Sequence, residues 1–90
     1  MNAISTESIL HSAMSEIDDA IRFGSTRNDK RAKRIVMEAR SQRKWINESL
    51  TACFYTDRKQ PDASKALTAL IRAAHLSEKA RQNYAKDLAE

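Results

Sequence analysis

The chain has one glycine, Gly24, and one proline, Pro61, in 90 residues. A multi-stranded β fold draws on such residues at every tight turn, so long helices are the structures this backbone can build. Both punctuating residues fall between amphipathic stretches. Gly24 is placed as a stop at a helix C-terminus. Pro61 is placed as the first residue of a helix. The sequence therefore predicts one all-α domain over residues 1–90, with helices at about 6–23, 28–56 and 61–88. Its abundant Ala, Lys, Arg, Glu, Leu and Ile favour the same state.

Turning about 100° per residue, the first helix gathers Ile9, Leu10, Ala13, Met14, Ile17, Ala20 and Ile21 on one side. Ser5 or Thr6 is its expected cap. The second gathers Ala32, Ile35, Val36, Ala39, Ile46, Leu50, Cys53 and Phe54, and Thr26 to Asp29 offer its caps. The third carries a line at 63, 67, 70, 74, 77, 81, 84 and 88, beside a second strip of Ala66, Ala69, Ala73, Ala80 and Tyr84. Together these make an apolar arc of roughly 200°, wide enough to touch two neighbours. Arg81 stands in the middle of that arc, where a lone charge is costly and calls for a carboxylate. Asp57 is the partner that the sequence suggests.

The short polar connection at 57–60 makes the second and third helices an antiparallel hairpin, with the shorter first helix packed across part of it. A first helix of this length cannot cover the whole hairpin. A chain of this size also buries only roughly 60% of its unfolded surface. Both points lead to self-association, with a homodimer favoured. The alanine strip with Tyr84 is the candidate helix–helix or dimer face.

The net charge of +4 is unevenly spread: residues 1–23 sum to −3, residues 24–60 to +6 and residues 61–90 to +1. Arg27, Lys30, Arg31, Lys33 and Arg34 open the second helix, and Arg40 and Lys44 continue the basic side. Cations at a helix N-terminus oppose its dipole, so local stability does not account for them. They suit phosphates or another acidic partner. Trp45 lies among these charges, either as the seat of the first helix or as a partner anchor.

Catalytic signals are sparse. His11 and His75 stand singly on different helices, and Cys53 lies on an apolar face. No Cys–His pair has metal-ligand spacing, and no Gly-rich loop is available to hold phosphates. Asp18 and Asp19 are adjacent and diverge on a helix. One cysteine forms no internal disulfide, which fits the cytoplasm or a nucleus. No apolar run approaches the roughly 20 residues of a membrane span, and the first residues lack the pattern of a signal peptide. The expectation is a non-enzymatic helical protein without a cofactor, acting through protein contacts and self-association. The competing expectation is nucleic-acid binding through the basic face.

Overall fold

In a computed structural model, which describes residues 5–55 and 61–89, the chain forms α1 (Thr6–Gly24), α2 (Lys30–Phe54) and α3 (Ala63–Ala89). No strand occurs among the described residues. Each helix opens on a side-chain oxygen that takes up a free backbone N–H, as helix starts require. Ser5 Oγ accepts from the Ser8 N–H at 3.1 Å, and Asp29 Oδ1 accepts from the Ala32 N–H at 2.7 Å. Asp62 Oδ1 accepts from the Lys65 N–H at 2.8 Å. Pro61 thus lies just outside α3, and Asp62 opens the helix in its place. α2 is continuous past Trp45 and ends at Phe54, with Tyr55 turning to an extended conformation.

Gly24 also works differently from the sequence expectation. No described residue has a positive φ, so no left-handed stop is made there. A Cβ added at Gly24 meets Val36 Cγ2 at 2.8 Å and Ile35 Cγ2 at 3.6 Å. The first turns of α2 press on the last turn of α1, and only a residue without a side chain fits between them.

α1 runs parallel to α3, and α2 runs antiparallel to both. Near the shared end, Asp19 meets Arg81 and the Phe23 ring lies 5.4 Å from that of Tyr84, tilted by 54°. Asp18 reaches Arg43 of α2 at 3.9 Å. The expected antiparallel pair of α2 and α3 is present, but the closest packing in the molecule is between α1 and α3. Leu10, Ala13, Ile17 and Ala20 of α1 are fully buried between the other two helices.

The face of α3 that packs inward is the alanine strip. Ala66, Ala73 and Ala80 recur at every seventh residue and are buried, with Ala69 and Tyr84 half-buried beside them. Methyl groups let helix axes approach toward the short end of the usual ~8–10 Å range. The other predicted line is mostly turned outward: Ala63, Leu67, Ala74 and Arg81 are exposed. The helix is rotated so that small side chains, rather than Leu67, face α1.

α1 has 19 residues against 25 in α2, so it stops short of the α2 C-terminus. Phe54, expected on the apolar face of α2, is consequently 71% exposed. The molecule is elongated, 51 Å along its long axis.

Candidate anion-binding interface on helix two

Lys30, Lys33, Met37, Arg40 and Lys44 follow one another at steps of three and four residues, which aligns them on one side of α2. All five are exposed, and the line is about 21 Å long at 1.5 Å per residue. Arg34 is exposed along one edge of this line. Arg31 is exposed too, but it lies well around the helix, on the flank toward α3.

Three of the four carboxylates of α1 are engaged elsewhere. Asp18 faces Arg43, Asp19 holds Arg22 at 3.0 Å and Arg81 at 2.8 Å, and Glu7 lies 3.6 Å from His11. Among the described residues, no ion pair includes Lys30, Lys33, Arg34, Arg40 or Lys44. Arg81 therefore takes its partner from α1, and Asp57 lies outside the described residues.

Arg27, read from the sequence as part of the basic side, has a structural task. Its Nε donates to Asp29 Oδ2 at 2.9 Å, and its Nη1 donates to the Asn83 carbonyl at 3.0 Å. Buried Asn83 donates its side-chain amide to Asp29 Oδ1 at 3.4 Å. This bracket fastens the α1–α2 loop to the last turns of α3. The Ala32 N–H, and after it Arg27 and Asn83, hold the Asp29 carboxyl below its ordinary range, against an opposing desolvation effect. The bracket joins three separate stretches of chain, so no local pattern in the sequence announces it.

Beside the cation line is a depression of about 340 Å³ between the end of α1 and the start of α2. Ala32, Val36 and Met37 give it an apolar wall, with Lys33 and Arg40 among its lining residues. Cations beside an apolar wall are chemically suited to an anion that also has an apolar part.

Trp45 is 38% exposed and sits against α3. It lines one depression with Ser64, Lys65, Thr68, Ala69 and Arg72, and another with Pro61, Asp62 and Lys65. No α1 residue lines either one, so the seat expected for α1 is occupied by α3 instead. Helical spacing puts Trp45 on the α3-facing edge of the cation line, close to the direction of Arg34.

His11 and His75 are both exposed and on separate helices, while half-buried Cys53 packs against the core. The described residues contain no cluster of three metal-ligating side chains. They also contain no helix long and apolar enough to cross a membrane. Comparison with known protein families, with curated proteins and with solved structures gives no match.

Proposed function

We propose that this chain is a small non-enzymatic binding protein of the cytoplasm that self-associates and presents the outer line of α2 to a nucleic-acid backbone. The observation that carries this reading is the row of exposed cations at Lys30, Lys33, Arg40 and Lys44, which the acidic residues of α1 leave unneutralised. Unpaired surface cations surrounded by counterions gain free energy by releasing those ions on meeting phosphates. Lys and Arg side chains suit phosphate oxygens whatever the base sequence, and the contact proposed here is with the backbone. An acidic protein surface is the second reading, supported by exposed Met37 among the cations. It makes a different prediction, because binding then requires burial of Met37.

The deciding experiment measures anisotropy of a labelled random-sequence duplex against salt, with the wild type and Lys33→Glu/Arg40→Glu/Lys44→Glu. The expected result is binding at about 50 mM salt that weakens steeply toward about 200 mM and disappears in the charge-reversed protein. No binding at the lower salt, or binding insensitive to salt, rejects the nucleic-acid reading.

A further inference from the structure

We propose that Trp45, with the depression it walls against α3, holds one unpaired nucleobase, so that the chain prefers single-stranded nucleic acid to a closed duplex. This rests on the nucleic-acid reading above and names the form of the strand. Trp45 is the only tryptophan of the chain and is 38% exposed, so part of the indole is open to solvent. The depression beside it has a volume of about 280 Å³, with Ser64, Thr68 and Ala69 of α3 across from the ring. Lys65 and Arg72 also line it. They stand on the same side of α3, about 10 Å apart along the axis at 1.5 Å per residue.

Charge selects what enters. Both cations are exposed, and among the described residues no ion pair includes either of them. No carboxylate lines this depression. Trp45 also walls a second depression, where Glu48 and Asp62 stand beside Lys65 and oppose an anion. A phosphate is therefore favoured on the Lys65 and Arg72 side of the ring.

An aromatic face between cations matches a nucleotide. The base stacks on the indole through its own π face, whatever the sequence, and the phosphates on either side meet the cations. Inside a duplex both faces of each base are covered by its neighbours, so only an unpaired base can make this contact. Lys44 of the cation line precedes Trp45 directly, so a strand whose phosphates follow that line passes beside the ring. Lys65 and Arg72 carry the positive surface across onto α3. A lipid surface suits the site less well, because insertion needs a protruding apolar face. Here the ring walls a depression that the Ser64 and Thr68 side chains help to line.

The single tryptophan reports on the contact directly. The wild type is titrated with an oligothymidylate of about 12 nucleotides and with an abasic strand of the same length, which keeps the phosphates and lacks the bases. Oligothymidylate should quench the Trp45 emission and bind about tenfold more tightly than the abasic strand, the effect of stacking one base. The abasic strand should leave the emission unchanged. Trp45→Ala should lose the preference, and Trp45→Phe, which keeps an aromatic face, should retain most of it. Lys65→Glu/Arg72→Glu, two exposed positions, should abolish the quenching with helical circular dichroism unchanged. Quenching that survives this reversal overturns the depression as the site. Equal binding of the two strands, or emission that does not change at saturation, overturns the base contact and leaves the backbone reading standing. Absence of binding by either strand and by duplex removes both readings. Emission that responds to phosphatidylglycerol vesicles and not to oligothymidylate overturns the proposal in favour of a lipid surface.

Discussion

Arg81 of α3 donates to Asp19 of α1 at 2.8 Å, and the same guanidinium lies 5.2 Å from the centroid of the Phe23 ring. Arg22 lies 5.1 Å from that ring and pairs with the same carboxylate. Two cations therefore share one acid and one aromatic at the end where α1 and α3 meet. The Arg81 side chain is 54% exposed and Asp19 is 25% exposed, so solvent screens the pair. An Asp19→Asn, Arg81→Gln double-mutant cycle should give a coupling of about 0.5 kcal/mol, shrinking in high salt. A coupling several times larger rules out this screened arrangement.

Gly24 supplies a packing prediction. Gly24→Ala gains helix propensity but forces a methyl against Val36, which is stiff at χ1 and cannot swing aside freely. Overpacking of this kind costs about 1–3 kcal/mol and outweighs a propensity gain of roughly 0.5–1 kcal/mol. Urea denaturation should show net destabilisation. Adding Val36→Ala should make Gly24→Ala neutral or stabilising. If Gly24→Ala is stabilising by itself, the close approach is wrong.

The rotation of α3 has a similar test. Ala73→Leu enlarges a fully buried position against α1 and should destabilise by about 1–3 kcal/mol. Ala85→Leu, on the exposed side, should stay within about 0.5 kcal/mol of the wild type. The reverse order would turn the helix over.

These three sites show what the sequence made legible. Helical periodicity with one Gly and one Pro sufficed for three helices, because breaks were scarce and apolar spacing was regular. It also placed the α1 core, where Ile9, Leu10, Ala13, Ile17 and Ala20 are buried. The alanine strip of α3 was legible as a helix–helix face, but not that the line through Leu67 beside it turns outward. Hydrophobic bulk drew attention to Leu67, whereas close approach of α1 selected Ala66, Ala73 and Ala80. The cation line was visible as composition, yet separating Arg27 from it needed Asn83, which is 56 residues away in sequence. Asp19 as the partner of Arg81 was hidden for the same reason, since 62 residues separate them.

Asp29 sets an acid limit. Its folded carboxyl is held below the ordinary aspartate value, first by the Ala32 N–H and then by Arg27 and Asn83. A depressed carboxylate stabilises the fold above the unfolded pKa of about 3.9 and loses that contribution as pH falls through the lower folded value. The melting temperature of the wild type should therefore fall more steeply below about pH 4 than that of Asp29→Asn. Asn retains a capping oxygen, so it should be nearer the wild type at neutral pH than Asp29→Ala. Parallel acid profiles for the wild type and Asp29→Asn would show that the bracket does not depend on charge.

The cation line makes a graded prediction. Each phosphate contact to a duplex contributes about −0.9 to the slope of log K against log salt. Lys30, Lys33, Arg40 and Lys44 all engaged therefore give a slope near −4. Lys33→Ala and Arg40→Ala should each make it shallower by about one unit, equally on duplexes of different sequence. Arg27→Ala should act otherwise, because its guanidinium is fixed to Asp29 and Asn83 and its loss should lower the melting temperature. Arg31→Ala, around the helix from the line, should leave the slope almost unchanged. A slope that responds equally to Arg31 and Arg40 would mean that diffuse charge, rather than the aligned face of α2, meets the phosphates.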